Sequence, residues 1–272
     1  MSDELEIVIL GCGSSGGVPR ADGDWGACDP DDPRNRRSRC SMLVRRPSAR
    51  GPEHETTVLV DTSPDLRLQT AAAGARRLDA VLLTHDHADQ THGIDDVRAF
   101  AIRAMSRIPV HMDQATHDSM RRRFGYIFTG GDGYPAICEA QLIPPHGQAW
   151  SVDGPSGAIP VTTFDQDHGG MRSVGYRFGP VAYSSDVVDL PEAAFEALSG
   201  VSLWIVDALR YRPHPTHAHL DKALAWIGRV RPQRAILTNM HIDMDFNTLC
   251  EILPTGVEPA FDGMSLSLAL GG

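Results

Sequence analysis

The sequence predicts an α/β sandwich, and two patterns predict it. Short β-branched runs recur along the whole chain, at 5–10, 57–61, 80–84, 161–164, 174–178, 181–184, 203–206 and 235–238. Each is bounded by Gly, Pro or Asp and has a length that suits a strand. Helical spacing fills some of the gaps. Segment 64–73 opens with Pro64 and Asp65 in its first turn, and 190–198 stops just before Gly200. Segment 219–230 sets Leu220, Ala223, Leu224 and Ile227 on one face, with Thr216 ahead of it as an N-cap. Strand pairs precede and alternate with helices, so mixed sheets covered by outer helices are expected.

Composition bounds the rest. The chain has 272 residues, 42% hydrophobic and 22% charged, which describes a globular protein able to bury a large core. With 35 acidic residues against 25 basic ones the formal charge is −10, which argues against broad, sequence-blind nucleic-acid binding. No apolar run approaches the ~18 residues of a membrane span, and the start Met1-Ser2-Asp3-Glu4 is unlike a signal peptide. A soluble, cytoplasmic protein is therefore expected. The cysteines (Cys12, Cys28, Cys40, Cys138 and Cys250) are odd in number and form no Cys-x-x-Cys pair, so neither a disulfide scaffold nor a zinc ribbon is in view. There is no fixed-period repeat or low-complexity linker, and a single domain over 1–272 is expected.

Most of the unusual polar residues follow a strand. Asp61, Thr84-His85, His168, Ser184-Ser185-Asp186 and His241 come at or just past the ends of the apolar runs. Layered α/β proteins assemble sites by delivering side chains from several strand ends to one edge. The strongest signal is Thr84-His85-Asp86-His87-Ala88-Asp89-Gln90-Thr91-His92-Gly93. In an extended segment His85, His87 and Asp89 share a parity and project the same way. Two imidazoles and a carboxylate this close suit a divalent ion with mixed nitrogen and oxygen ligands.

This segment resembles the His-x-His-x-Asp-His signature of the metallo-β-lactamase superfamily, which implies an αββα sandwich of two mixed sheets flanked by helices. The resemblance extends over nearly the whole chain. It implies metal ligands at His85, His87, Asp89, His168, Asp186 and His241, and it makes Asp61 the residue that braces the metal loop. Asp89 is placed among the catalytic residues as well. The signature's last histidine is Gln90 here, and a neutral amide is a poor ligand beside imidazole. One or two divalent ions, Mn²⁺ or Zn²⁺, are expected, the second weakly held. His92 is the alternative ligand, although His-Gly there reads better as the start of the next helix.

The opening Leu10-Gly-Cys-Gly-Ser-Ser-Gly-Gly-Val-Pro19 is similar to that of the phosphodiesterase branch, which includes the tRNA 3′-processing endonuclease and the phosphoribosyl 1,2-cyclic phosphodiesterase. A Gly-Ser turn lets backbone N–H groups approach a phosphate, so Ser14 and Ser15 are substrate-binding candidates. The insertion at about 20–39 carries Arg34, Arg36, Arg37 and Arg39, of which Arg37 and Arg39 are assigned to phosphate. Relatives often hold a structural zinc in this insertion through closely spaced cysteines. Only Cys28 is present, and no such zinc is expected.

The cluster Arg212-Pro-His214-Pro-Thr-His217-Ala-His219 opens a helix. The branch places there a histidine that assists the leaving group. His219 aligns best by its Leu-Asp-x-Ala-Leu sequel, with His217 as its neighbour candidate, and a histidine can donate a proton near neutral pH.

The function expected is a metal-dependent phosphodiesterase acting by metal-activated water on a small cyclic phosphodiester or nucleotide-like ester. A lactone, thioester or ester hydrolase on the same centre, or a catalytically weakened nucleotide-binding protein, are the alternatives. No basic arm suggests a stable nucleic-acid complex, no membrane partner is expected, and a homodimer is compatible with the sequence.

Overall fold

The computed structural model describes residues 4–131 and 133–270, which build two seven-stranded sheets. In the first, β1 (Glu4–Gly11), β2 (Ser41–Arg46), β3 (Thr56–Val60), β4 (Ala80–Leu82), β5 (Ile108–Met112) and β6 (Cys138–Leu142) lie side by side in chain order. The second holds β7 (Trp150–Val152), β8 (Ile159–Asp167), β9 (Arg172–Phe178), β10 (Val181–Ser184), β11 (Leu203–Asp207), β12 (Arg234–Thr238) and β13 (Val257–Pro259). The last strand, β14 (Met264–Ala269), returns to the first sheet and pairs antiparallel with β1, Glu4 opposite Ala269.

Both sheets are mixed, as expected. β1 to β3 and β7 to β10 run antiparallel to their neighbours, after which each sheet continues in parallel order. Every strand expected from sequence coincides with an observed one. The run at 80–84 stops at Leu82, which already places Thr84 and His85 in the loop.

The alternation of side chains explains why the early strands read as unbroken apolar runs. Leu5, Ile7 and Ile9 of β1, Met42 and Val44 of β2, Val58 and Val60 of β3, and Ala80 and Leu82 of β4 join one core. The intervening Val8, Leu43, Leu59 and Val81 join a second core. A sheet buried on both faces leaves no polar parity. The first core lies between the sheets, against Phe164, Val174, Tyr176 and Tyr183. The second is closed by α1 (Leu66–Ala72), α3 (Arg98–Ala104), α4 (Gln114–Arg123) and α5 (Gly125–Thr129), with the short α2 (Ala88–Thr91) between them in sequence. Beyond the second sheet lie α6 (Glu192–Ala197), α7 (Leu220–Val230) and α8 (Phe246–Ile252). Of the expected face of α7, Leu220, Ala223 and Ile227 are buried together with Trp226, while Leu224 is only partly buried at its edge. The architecture is the αββα sandwich. No helix among the described residues is long and apolar enough to cross a membrane.

Two expectations about helix starts are corrected. His219, not Thr216, is the N-cap position of α7, and it caps with no side-chain hydrogen bond. Asp65, expected in the first turn of its helix, instead occupies the N-cap position of α1, and its carboxylate is engaged by the backbone N–H and the guanidinium Nε of Arg39, each at 3.0 Å.

The insertion at 20–39 is pinned to the C-terminal part of the chain by polar contacts. Asp245 Oδ2 accepts from Asp29 N at 3.1 Å and Asn35 Nδ2 at 2.7 Å, and Asn35 Oδ1 accepts from Phe246 N at 2.8 Å. Cys28 packs with Val18 and Ile242 in a small apolar cluster.

The sheets are also tied together at the edge that carries the polar residues. Val174 N of β9 donates to Thr84 O at 2.8 Å, and the Tyr176 hydroxyl donates to Leu83 O at 2.7 Å.

Candidate metal centre

The loop after β4 is fixed from beneath by Asp61, which is fully buried and held in the left-handed region at φ 61°. Its carboxylate accepts from Thr84 N at 2.8 Å and from the Thr84 hydroxyl at 2.9 Å, and burial pushes its pKa well above the usual range. The Thr84 hydroxyl lies 3.0 Å from His85 Nδ1. With its own hydrogen on Asp61, that hydroxyl accepts from Nδ1–H, which leaves the His85 Nε2 lone pair facing the site. His168 is oriented the same way, because its Nδ1 meets Thr216 O at 2.7 Å and a carbonyl can only accept. Burial keeps both rings neutral: it pulls the His85 pKa down to about 3 and lowers that of His168. Neutral imidazole is the form a metal needs.

These rings converge. One ligating atom each of His85, His87 and His168 lie within 4.8 Å of one another, and so do those of His168, Asp186 and His217. His168 Nε2 is 3.3 Å from His87 Nδ1. Asp186, just past β10 at φ 55°, directs Oδ1 to within 3.9 Å of His85 Nε2. Burial alone would raise its pKa, but the neighbouring His85, His217 and His168 and the Ser185 hydroxyl hold it at about 2. The buried Nε2 of His85 has no hydrogen-bond partner. A buried polar atom left in that state, amid two more imidazoles and an ionised carboxylate, fits a divalent ion of the zinc or manganese type.

The remaining predicted ligands are near but differently engaged. Asp89 lines the same cavity, its pKa raised to about 6 by burial and by the charge of Asp186. His241 lines it too, but its Nδ1 bonds Asp243 Oδ1 at 2.7 Å and its Nε2 bonds the Arg20 guanidinium. Gln90 is fully buried, and its Nε2 donates to Asp186 Oδ2 at 3.0 Å. His92 is turned out to solvent, against Phe124 and within 2.6 Å of an Arg123 nitrogen. It ends α2, and Gly93 rather than His92 precedes the following 3-10 turn Ile94–Val97.

The cavity over this cluster holds about 440 Å³, and Ser14, Ser15, Arg20, Arg210, His214 and His217 complete its walls. A wider cleft of about 620 Å³ shares Ser15, Arg20 and Asp89 with it and adds Arg39. Ser14 and Ser15 thus line the cavity beside the candidate ligands. Their turn is set by Gly13, where an added Cβ would meet Arg37 O at 2.9 Å, and by Gly17 at φ 66°.

Several assignments change. Arg37 faces no cavity wall of the centre. It is 1% exposed and donates to Asn35 Oδ1 at 3.1 Å, inside the insertion. Arg34 is taken by Asp32 and Asn247, and Arg36 lies over the Trp25 ring. The guanidiniums that reach the cavity walls are Arg20, Arg39 and Arg210, and sequence reasoning missed the first and last. The Val-Pro that follows the Gly-Ser turn was the one available signal for Arg20, which comes next in the chain.

The histidine that faces the cluster from the α7 side is His217. Its ring centroid is 4.8 Å from that of His168, whereas His219 is not among the residues lining the cavity. His217 Nδ1 lies 2.9 Å from Asp207 Oδ2 and 3.2 Å from Asn239 Nδ2. Burial would lower its pKa, but Asp207, Asp186 and Asp89 together raise it to about 9. Asp207, wholly buried at the end of β11, was not foreseen.

The chain spans about half the length of the curated relative it matches, an octanoyltransferase of Porphyromonas gingivalis, at 30% identity over 96% of this chain and 51% of the relative. Among solved structures it is similar to a diphosphatase of the PhnP family, at 30% identity and a TM-score of 0.85 with 97% of both chains covered. The fold is shared with Zn²⁺-bound PqqB of Methylobacterium extorquens, at 19% identity and a TM-score of 0.72 over 97% of this chain and 100% of that one. Human tRNase Z, short form, shares it at 14% identity and a TM-score of 0.64, over 96% of this chain and 98% of that one. Residues 56–242, including all of the histidine loop, Asp186 and His241, match the model of the beta-lactamase superfamily domain. With its ligand cluster at the joint edge of two mixed sheets, the chain belongs to the metallo-β-lactamase superfamily and is PhnP-like.

Proposed function

We propose that this metal-dependent hydrolase is a phosphodiesterase acting on a small cyclic phosphodiester or a nucleotide-like phosphate ester. One observation carries the reading: a single cavity of about 440 Å³ combines the ligand cluster with Arg20, Arg210 and a carboxylate-paired imidazolium, His217. A divalent ion held by His85, His87, His168 and Asp186 supplies Lewis acidity toward a phosphoryl oxygen and makes water acidic. Arg20 and Arg210 bind the non-bridging oxygens, since a guanidinium fork matches phosphate geometry. Arg39, in the adjoining cleft, meets a further polar part of the substrate.

His217 takes the acid role that sequence alignment gives to His219. Asp207 holds Nδ1, which leaves Nε2–H for the departing alkoxide. The alternative of ester, lactone or thioester hydrolysis fits the cavity less well. Among its described lining residues Leu209 is the one aliphatic side chain, which leaves an acyl chain little to pack against. The size of the cavity suits a small molecule, and a stable nucleic-acid complex forms no part of the proposal.

The test is a substrate panel with added Mn²⁺ or Zn²⁺: a ribose cyclic diester, a linear nitrophenyl diester, a thioester and a lactone. Turnover of the diesters at least ~10²-fold above the acyl substrates is expected, on the scale of one well-placed catalytic group. Preference for the thioester or lactone would replace this reading by the acyl one.

A further inference from the structure

Two features of the centre, at residues that would serve a second ion, point the same way. The first is Gln90. Its Nε2 donates to Asp186 Oδ2 at 3.0 Å. The Ser185 hydroxyl donates to the same oxygen. Two donors fill the two lone pairs of Oδ2, and Oδ1 alone is left turned toward His85 Nε2. The second feature is His241. Both of its nitrogens are engaged, Nδ1 by Asp243 and Nε2 by Arg20, and a nitrogen accepting from a guanidinium has no lone pair for a metal. Among the described residues neither cluster of potential ligands includes Asp89 or His241. Arg20 is also one of the residues shared by the metal cavity and the outer cleft, and its other ionic partner is Asp24 at 3.8 Å.

We propose that the centre binds one divalent ion tightly, through His85, His87, His168 and Asp186, and that the Arg20 guanidinium beside His241 supplies the second positive charge to the substrate phosphate. The inference rests on the phosphodiesterase reading and adds to it the number of ions and the part of Arg20 in standing where a second ion would. A fixed cation next to His241 repels a dication by simple electrostatics, and Gln90 offers no imidazole to offset that cost. The same guanidinium matches a phosphate better than any group otherwise reaching His241.

Metal stoichiometry tests this independently of turnover. Titration calorimetry of the metal-free full chain with Mn²⁺, together with electron paramagnetic resonance of the product, is expected to give one tight equivalent and the spectrum of an isolated Mn²⁺. The double variant Gln90→His/Arg20→Gln is expected to take a second equivalent within about tenfold of the first and to show an exchange-coupled pair. Arg20→Gln alone, with its single ion in place, is expected to bind inorganic phosphate about tenfold or more weakly, which keeps the proposal testable if the double variant does not fold. Two comparably tight, coupled ions in the unaltered chain would overturn the proposal and leave the phosphodiesterase reading standing. So would undiminished phosphate binding by Arg20→Gln. If no variant, nor the unaltered chain, binds Mn²⁺ or Zn²⁺, the metal-centre reading itself fails.

Discussion

His217 and His219 are two residues apart, and they separate chemistry from local structure. His217 faces the cluster with Nδ1 pinned 2.9 Å from Asp207, whereas His219 occupies the N-cap position of α7 outside the cavity. His217→Ala is expected to leave metal content intact and to slow hydrolysis of a ribose-type diester by ~10²–10⁴-fold, the span of acid catalysis. The loss on a nitrophenyl diester, whose phenolate departs unaided, is expected to be far smaller, and His219→Ala is expected to change either rate less than about twofold. Equal losses on both substrates would show that His217 holds phosphate or the fold instead of donating a proton. Sequence favoured His219 because its sequel matches the family. The proposal turns to His217 because of its contact with Asp207, at the end of β11, which no local pattern reveals. Arg37 failed for a similar reason: a basic loop reads as a phosphate binder, but Asn35 and Cys28 draw that guanidinium inward. The histidine loop was legible because its candidate ligands lie within five residues and need only a strand before them.

Among the elements, most strands legible in sequence are uninterrupted β-branched runs, whereas β2, equally buried on both faces, was not read as a strand. β5 was not either, because Pro109 and His111 break its apolar reading, although Val110 and Met112 are fully buried. β14 lies beside β1 only through contacts between opposite ends of the chain, a pairing that period-2 patterning cannot supply. The insertion is the element most dependent on one side chain. Asp245 caps α8 through Thr248 N at 2.9 Å and also holds Asp29 and Asn35. Asp245→Ala is expected to destabilise the fold by about 1–3 kcal/mol, a cap and one or two charge-assisted hydrogen bonds together. Burial works against the Asp245 charge, but the donated N–H groups of Thr248, Asp29 and Asn35 win and hold its pKa at about 2. A carboxyl depressed in the folded state contributes stability above its unfolded pKa of about 4 and loses it as pH falls toward 2. Thermal unfolding between pH 5 and 2 is therefore expected to fall more steeply in the unaltered chain than in Asp245→Asn. Parallel curves would remove the insertion clamp from the stability of the fold.

Over the whole molecule the two sheets deliver one centre to one edge. The first contributes Asp61 and the His85–Asp89 loop, and the second contributes His168, Asp186, Asp207 and His241. Val174 N on Thr84 O and Tyr176 on Leu83 O fasten the sheets at the roots of the loops that carry His85 and Asp186, so sheet packing helps to set the spacing of those two residues. That the candidate ligands lie just past strand ends was readable from sequence; the contact of His241 with Arg20 was not, because Arg20 arrives from the insertion. The most direct measurement of the central claim is turnover of a ribose cyclic phosphodiester by the purified chain against its metal content, for the unaltered protein and for His85→Ala/His87→Ala. The expected result is hydrolysis in proportion to bound Mn²⁺ or Zn²⁺, abolished by chelation and absent from the double variant, which loses the tight ion while unfolding cooperatively. A double variant that binds the ion normally, or diester hydrolysis that survives complete removal of metal, would contradict it.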